Sequence, residues 1–432
     1  MTTAPLCIYS VLGAEISRVE WPARLKHIHA MGFTHVLASS AAFKANTGET
    51  AVNVDAAAAG TAAPDLLLLQ AAARVCADHE LRLLLDVDVT CAAAGASLRA
   101  QHPEWFRAIL SAADLPDPRR RPAEAGLRWR LDDARGAQAA LAWWGGHLLE
   151  CARTGVAGFR LVSVDAAPAA WWQALCTQVH AHDANTRMLA WTQGLRPQVL
   201  SALVGTGFDY TFCSAEWWDF RAAWLAEEYR RLAAVAAPLA CAGAPLPLHP
   251  PAVHTLRAQQ RAVWLAATLG AGWLMPAGFE SRAEAPGRGS SQPSGPAEEG
   301  DDDVAAALVL QSDVAAANAL VAAERTDANA LAMLHAGVGW AAVLRAGSGA
   351  ARLVVLNANL DQPTVASIPA VAGGAACAFS PWRDGGGREV SGTCTLAPGQ
   401  TLRLAAVRAQ TVTCHLPGPA LLQALDAATC AP

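Results

Sequence analysis

The sequence predicts an α/β protein: an eight-stranded (β/α)8 barrel of the TIM type, followed by a C-terminal antiparallel β-sandwich domain. Three observations predict this fold. Short apolar runs alternate with longer stretches of helical period up to about residue 323, as in repeated strand–helix units. Eight such runs occur, the number that closes a parallel barrel. From Gly339 the pattern changes to alternating apolar and polar residues between glycine-rich turns, which is typical of antiparallel sheets.

The eight barrel strands are predicted at residues 6–12, 34–39, 82–89, 158–164, 187–192, 208–213, 238–242 and 272–276. Helices are predicted between and after them at residues 21–31, 65–79, 141–153, 171–182, 197–204, 221–234, 256–269 and 304–324. Pro64 and Pro197 stand where two of these helices begin. Proline is tolerated there because the first backbone N–H groups of a helix have no partner within it.

Two segments interrupt the strand–helix alternation. Residues 101–140 are too long and too rich in Pro and Arg for a simple connection, so we expect an excursion above the barrel after strand three. Residues 281–303 concentrate Gly, Pro, Ser and acidic residues, which predicts a disordered acidic loop. The predicted domains are then the barrel at 1–335, the β-domain at 336–409 and a tail at 410–432 without a predicted role.

Composition excludes several functional classes. With 53% hydrophobic and 16% charged residues the chain is globular, and a net charge of -5 argues against a nucleic-acid partner. The short basic run at 119–121 is interpreted as a solvated loop. Eleven cysteines without a CxxC pair are typical of a reducing compartment. Since no signal peptide and no uninterrupted apolar run of about 18 residues is recognised, we expect a cytoplasmic protein without a membrane partner.

Segments spread over about residues 5–409 resemble glycoside hydrolase family 13, the α-amylase family. WPARLKHIHAMGFTHVLAS resembles the first helix and second strand of that family, and LLLDVDV its third strand. QHPEWF resembles a segment that follows the third strand, and GVAGFRLVSVDAAPAAWW resembles the fourth strand with the helix after it. The order of these matches along the chain makes the fold signal more specific than any one of them.

The likeness is strongest to the maltose-1-phosphate maltosyltransferase branch, through FDYTFCSAEWWDFRAAWL and GWLMPAGFE. A narrower likeness, through the strand AWTQGL, is to the barrel that precedes the catalytic barrel in long maltosyltransferases. The resemblance implies a role in α-glucan metabolism linked to glycogen or trehalose. It also implies an α-glucan or maltooligosaccharide as ligand, and a catalytic maltosyltransferase barrel as a protein partner.

Retaining glycosidases need two carboxyl groups about 5 Å apart, one to attack the anomeric carbon and one to protonate the leaving oxygen. The resemblance implies that the nucleophile follows Arg160 by two residues, where this chain has Val162. It places the acid/base at Trp191 and a third acid at or beside His254. Valine offers no lone pair and an indole N–H does not exchange a proton near neutral pH. The chain is therefore expected to be catalytically degenerate.

Of the polar residues implied by the family pattern, Asp86 and Arg160 remain, and they are expected to satisfy each other as a buried pair. Asp88 has the same strand parity as Asp86, so it is the best candidate for a replacement acid. Trp191 is expected either to plug the former cleft or to stack on a sugar. Further candidates for glucan contact follow the sixth and eighth strands, namely Trp217, Trp218, Asp219 and Glu280, with Glu216 as a further rim acid.

Three functional interpretations stay open at this point. The first is a non-catalytic glucan-binding or scaffolding module. The second is an active maltosyltransferase or related transglycosylase that uses relocated carboxylates such as Asp88 with a rim acid. The third is a purely structural domain that packs against a catalytic partner barrel. No metal-binding spacing and no glycine-rich phosphate loop is recognised, so neither a metal nor another cofactor is predicted.

Overall fold

The computed structural model describes residues 6–11, 20–39, 66–90, 101–109, 119, 126–243, 255–281, 301–323, 330–346, 350–368 and 382–407. Its centre is a closed barrel of eight parallel strands, so the predicted fold is confirmed. In chain order they are β1 (Leu6–Ser10), β2 (His35–Ser39), β3 (Arg82–Asp88), β6 (Gly158–Val162), β7 (Arg187–Ala190), β8 (Tyr210–Phe212), β9 (Ala237–Cys241) and β10 (Gly272–Pro276). All eight predicted strands are present, and β10 pairs with β1 to close the ring.

Eight helices are described: α1 (Trp21–Ala30), α2 (Leu66–Asp78), α3 (Ala134–Arg153), α4 (Ala169–His182), α5 (Pro197–Ala202), α6 (Trp224–Val235), α7 (Leu256–Leu269) and α8 (Asp301–Ala323). Two of them begin at side-chain caps. The Asp133 carboxylate accepts a hydrogen bond from the backbone N–H of Gly136 at 3.0 Å, and the Thr255 hydroxyl accepts one from Ala258. Such caps satisfy N–H groups that have no partner within the helix.

The predicted excursion at 101–140 extends further along the chain than the observed one, which ends before Ala134. It holds a 3-10 turn (Pro103–Trp105) and an antiparallel strand pair, β4 (Phe106–Ile109) with β5 (Gly126–Trp129). Helix α3 then starts at Ala134, inside the predicted excursion, because the Asp133 cap fixes its beginning there. Of the predicted acidic loop at 281–303, residues 282–300 lie outside the described residues, and α8 begins at Asp301. Aspartate is favoured in the first turn of a helix by the helix dipole.

Side chains inside the barrel come from alternate positions of the strands, because a strand points successive residues to opposite faces. Two apolar cores result, one inside the barrel and one between strands and helices. The interior core contains the buried residues Leu6, Ile8, Leu37, Leu84, Val162, Leu189, Trp191, Tyr210, Phe212, Leu239, Cys241 and Leu274. Neighbouring positions such as Phe159 and Leu161 face the helices instead. The barrel strands therefore show the alternation of inward-facing and helix-facing side chains that was inferred from the sequence.

The C-terminal domain has a four-stranded antiparallel sheet in the order β11 (Ala330–Ala336), β12 (Trp340–Ala346), β13 (Ala350–Asn357) and β16 (Thr401–Val407). A second sheet pairs β14 (Thr364–Ile368) with β15 (Gly392–Leu396). Both sheets contribute to one core, as a sandwich requires. The first strand begins at Ala330, so this domain starts before the predicted boundary at 335/336. The tail at 410–432 lies outside the described residues.

The two domains are joined by arginine contacts, one of them buried. Arg345 of β12 is 3% exposed and donates hydrogen bonds to the carbonyl oxygens of Gly270 (2.7 Å) and Thr268 (3.4 Å), at the end of α7. The guanidinium of Arg403 on β16 lies 3.4 Å from the ring centroid of Trp264 on α7. The β-sandwich is therefore fixed against the C-terminal half of α7.

Helix α8 covers the barrel beside α7. By length and composition alone its residues 305–323 satisfy the requirements of a membrane span, with a mean hydropathy of 1.5. Its contacts are those of a barrel helix, however, since the Asn318 amide donates to the carbonyl of Met31 and accepts from the indole N–H of Trp273, both at 2.8 Å. Asp313 accepts from Trp264 and from Gln260 on α7. One face of α8 is thus held on the barrel by buried polar contacts.

Candidate functional site

The mouth of the barrel, at the carboxyl ends of its strands, is where a (β/α)8 barrel places its functional groups. Asp86 and Asp88 on β3 pair in register with Arg160 and Val162 on β6. Val162 is 1% exposed and belongs to the interior core. The four predicted residues therefore lie side by side at the mouth, and an apolar side chain fills the position that the family resemblance assigns to the nucleophile.

Arg160 and Asp86 form the predicted buried pair. The Nε atom of Arg160 donates to Oδ1 of Asp86 at 2.6 Å, and the two side chains are 0% and 3% exposed. The Nη1 and Nη2 atoms of Arg160 have no hydrogen-bond partner within the described part of the chain. The guanidinium instead lies 4.7 Å from the ring centroid of Trp191. Asp86 is thereby committed to a charged partner and is shielded from solvent.

Asp88 is also committed to an arginine. Its Oδ2 accepts from Nη1 of Arg128 at 3.1 Å, and its Oδ1 accepts from the backbone N–H (2.9 Å) and the hydroxyl (2.6 Å) of Thr90. Arg128 is 5% exposed and comes from β5 of the excursion. No sequence pattern indicates this partner, because the contact between β5 and the end of β3 joins residues 40 positions apart.

Trp191 closes the centre of the mouth. It is 4% exposed, and its ring packs on Phe212 with a centroid distance of 5.0 Å. With Arg160 also against it, Trp191 has no exposed surface large enough for a sugar ring. Of the two predicted roles, the geometry fits that of a plug rather than a stacking platform.

Glu216 contacts Gln193, two residues after Trp191 in the chain. Its Oε1 accepts from Nε2 of Gln193 at 2.6 Å, and the same amide donates to the carbonyl of Cys213 at 2.8 Å. Burial raises the pKa of Glu216 to about 8, against the lowering effects of its backbone hydrogen bond and of Gln193. Its Oε2 has no hydrogen-bond partner among the described residues. Glu216 is thus a protonated carboxyl group near neutral pH.

Arg119 connects the excursion to the sixth barrel strand. Its Nη1 donates to the Ser214 hydroxyl at 3.2 Å and lies 3.7 Å from Oε1 of Glu228. Ser214 in turn donates to the Glu228 carboxylate from its backbone N–H and its hydroxyl, both at 2.8 Å. The interpretation of the basic run as a solvated loop was therefore wrong for Arg119, whose charge is satisfied by Glu228.

The residues after the sixth strand divide into structural and accessible groups. Trp218 is 4% exposed, donates to the carbonyl of Ala222 at 2.8 Å and packs on Phe220, so the predicted glucan contact at Trp218 is wrong. The carboxylate of Asp219 is exposed but accepts from the backbone N–H groups of the turn that follows it, including Arg221 at 3.0 Å. Trp217 is half-buried at the rim.

Glu280 is not a rim acid, contrary to the prediction. It is 1% exposed and accepts a hydrogen bond from the Tyr9 hydroxyl at 2.5 Å. Arg24 and His27 on α1 approach the same carboxylate at 3.9 and 4.0 Å. Tyr9 has the parity that faces the helices, so Glu280 links β1 to α1 outside the barrel interior.

His254 and the neighbouring Val253 lie outside the described residues, so the third acid position stays a prediction. Within the described ranges, no group of three or more His, Cys, Asp or Glu side chains is placed to hold a metal ion.

No protein-family model matches the chain. Among curated proteins, the chain is 32% identical over 425 residues to an α-1,4-glucan:maltose-1-phosphate maltosyltransferase of Burkholderia pseudomallei. The match covers 89% of this chain and 36% of the relative, so the chain spans about a third of that protein's length.

Solved structures with the same fold include an α-amylase from Geobacillus thermoleovorans, with a TM-score of 0.61 at 14% identity over 94% of this chain and 99% of the other. A cyclic α-maltosyl-(1→6)-maltose hydrolase from Arthrobacter globiformis has a TM-score of 0.59 at 16% identity, over 94% and 100%. The chain is therefore maltosyltransferase-like in sequence and has the α-amylase fold, which confirms the resemblance to glycoside hydrolase family 13.

Proposed function

We propose that this barrel has lost glycosidic catalysis and serves α-glucan metabolism as a scaffolding module, with glucan contact limited to the rim around Trp217. One observation carries the proposal. Both carboxylates that the third strand brings to the mouth are bound by arginines, Asp86 by Arg160 and Asp88 by Arg128. A carboxylate held by a buried arginine is a poor nucleophile because attack on a sugar would remove a charge that the arginine stabilises.

The state of the mouth supports the same conclusion. Val162 and Trp191 occupy the positions that the resemblance assigns to nucleophile and acid, and both are buried. Trp217 is the remaining half-buried indole of the predicted rim set, and a flat aromatic face suits a pyranose ring. The curated relative is an α-1,4-glucan:maltose-1-phosphate maltosyltransferase. This similarity supports an α-glucan as the ligand and a catalytic maltosyltransferase as the protein partner.

The test combines turnover and binding. The purified chain is incubated with maltose 1-phosphate and glycogen, and phosphate release is measured beside glycogen co-sedimentation. We expect no phosphate release, and weak sedimentation that Trp217→Ala abolishes. Phosphate release that Asp88→Asn abolishes would overturn the non-catalytic proposal. The proposed protein partner is tested by size-exclusion chromatography. The chain is mixed with the catalytic portion of a maltosyltransferase, and we expect the two to co-elute.

A second candidate, relocated catalysis, is favoured by Glu216 alone. A carboxyl group with a raised pKa and an oxygen without a partner can donate a proton to a leaving group. Catalysis by Glu216 would need a second carboxylate about 5 Å away in a retaining mechanism, or about 6.5–9.5 Å away in an inverting one. This candidate predicts that Glu216→Gln abolishes phosphate release from maltose 1-phosphate, whereas the scaffolding proposal predicts that there is no release to abolish.

A further inference from the structure

The amino-terminal end of the barrel, opposite to the mouth, carries a cluster of basic side chains. His35, Arg82 and Arg187 each stand two positions before a strand residue of the interior core, so they share its inward parity. They are the first residues of β2, β3 and β7. The first inward-facing residues of the other five strands carry no charge, and they are Leu6, Gly158, Tyr210, Ala237 and Gly272. Positive charge is therefore concentrated here without a carboxylate among the first inward-facing residues.

The three basic side chains come from neighbouring strands. His35 pairs in register with Arg82. Arg187 pairs with Gly158, and Gly158 pairs with Leu84, so Arg187 lies two strands beyond Arg82, roughly 10 Å across the sheet at about 4.8 Å per strand. Burial, and after it the two guanidinium groups, lower the pKa of His35 to about 3. His35 is thus neutral near pH 7, and two positive charges act on it from either side.

Neither guanidinium group is fully paired. Arg82 is exposed and has no salt bridge to a described residue. The Nη1 atom of Arg187 lies 3.7 Å from Oδ1 of Asp209, and the Arg187 side chain is 24% exposed. Oδ2 of Asp209 accepts from the backbone N–H of Met188 at 2.8 Å and contacts Nε2 of His180 at 3.1 Å. Because Asp209 is shared among these groups, the charge of Arg187 remains available to a second anion.

We propose that His35, Arg82 and Arg187 form a binding site for a phosphate group, either free phosphate or a phosphate monoester. Guanidinium groups bind phosphate oxygens through paired, charge-assisted hydrogen bonds, and a dianion between two arginines removes their mutual repulsion. The ring of His35 is held by a 2.8 Å contact between its Nδ1 and the Thr34 hydroxyl, so Nε2 is the nitrogen that remains for an anion. A bound dianion favours the imidazolium and therefore raises the pKa of His35.

Isothermal titration calorimetry of the full chain with inorganic phosphate tests the site, at an ionic strength held constant with sodium chloride. We expect saturable binding that Arg82→Gln and Arg187→Gln each weaken at least about tenfold. Arg82 is exposed, so Arg82→Gln should fold even if Arg187→Gln, which also loses the contact with Asp209, does not. Arg153→Gln is the control, since Arg153 is an exposed arginine at the same end of the barrel, where α3 ends before β6. It should leave phosphate binding unchanged.

A second titration, with maltose 1-phosphate, distinguishes the two sources of the phosphate group. Tighter binding than that of inorganic phosphate, weakened by the same factor in Arg82→Gln, supports the site as one for a phosphate monoester. Equal affinity supports it as a site for free phosphate. Trp217→Ala, at the opposite end of the barrel, should leave both affinities unchanged, so the result is independent of the proposed glucan contact.

Nuclear magnetic resonance gives a readout at the site itself. The imidazole resonances of His35, assigned with His35→Gln, should shift on addition of phosphate in the unchanged chain and stay constant in Arg82→Gln. The proposal is overturned if phosphate binding does not saturate up to about 10 mM, or if Arg82→Gln binds phosphate as tightly as the unchanged chain does. Chloride that shifts the His35 resonances as strongly as phosphate at equal concentration would show a non-selective cluster of positive charge and would also overturn it.

Discussion

Asp88 and Arg128 form a salt bridge of 3.1 Å that joins the third barrel strand to the excursion hairpin. This salt bridge gives Asp88, the predicted replacement acid, a structural role instead of leaving its carboxylate available for catalysis. Both side chains are largely buried, at 11% and 6% exposure. Removal of one partner therefore leaves a charge that has neither water nor counter-ion.

Arg128→Met is expected to lower the free energy of unfolding by about 3 kcal/mol, because it leaves Asp88 as an uncompensated buried charge. The double variant Asp88→Asn/Arg128→Met should recover most of this loss. Both values are measured by urea denaturation. As a matched control, Arg107→Met breaks an exposed pair with Asp132 and should cost less than about 1 kcal/mol. Equal losses for the buried and the exposed pair would contradict this account.

Val162→Asp is expected to give a folded protein, because the Nη atoms of Arg160 lie on the same side of the strand and have no described hydrogen-bond partner. The control Leu161→Asp places the same charge toward the helices, where no arginine of this cluster lies, and should unfold the barrel. Circular dichroism melting distinguishes the two. An equal loss of melting temperature in both variants would show that Arg160 does not stabilise the new carboxylate.

Trp217→Ala and Trp218→Ala are expected to separate binding from stability. Trp217 is half-buried at the rim, so its removal should reduce glycogen co-sedimentation with little change in melting temperature. Trp218 is buried and hydrogen-bonded to Ala222, so its removal should cost about 3–5 kcal/mol of stability. If both variants bind glycogen as the unchanged chain does, the rim contact is absent and a purely scaffolding role remains.

The raised pKa of Glu216 makes stability depend on pH. Its folded pKa of about 8 exceeds the ordinary glutamic acid pKa of 4.5, so the folded state holds its proton where the unfolded state has lost it. The contribution of Glu216 to the free energy of unfolding is therefore greatest at low pH. It falls as pH rises from about 4.5 to about 8. Glu216→Gln removes this dependence while keeping an oxygen to accept from Gln193.

Melting temperatures of Glu216→Gln and the unchanged chain should agree near pH 5. At pH 8 the variant is expected to melt about 2–5 °C higher, because it avoids an ionised carboxylate at a buried position. Asp219→Asn, at an exposed turn, serves as the control and should not alter the difference between the two pH values. A constant difference between variant and unchanged chain across this range would contradict the assignment of the raised pKa to Glu216.

The barrel, and the absence of an acid at Val162 and Trp191, could be predicted from the amino-acid sequence. Alternation of apolar runs and helical stretches identified all eight strands, since burial on both faces of a parallel strand leaves a continuous apolar run. Strand parity then placed Asp86, Asp88, Arg160 and Val162 on one side, because side chains alternate along a strand whatever the tertiary structure. The resemblance added the positions where a nucleophile and an acid would stand.

Which polar side chains remain available at the mouth depends on contacts between segments that are distant in sequence. Arg128 and Arg119 reach the mouth from the excursion, over separations of 40 and 95 residues from Asp88 and Ser214. Glu280 turns outward to Tyr9 across 271 residues. Local sequence pattern carries no information on such partners, because the free energy of a buried charge depends on what the fold brings beside it. The chemistry left at the mouth was therefore fixed by long-range contacts.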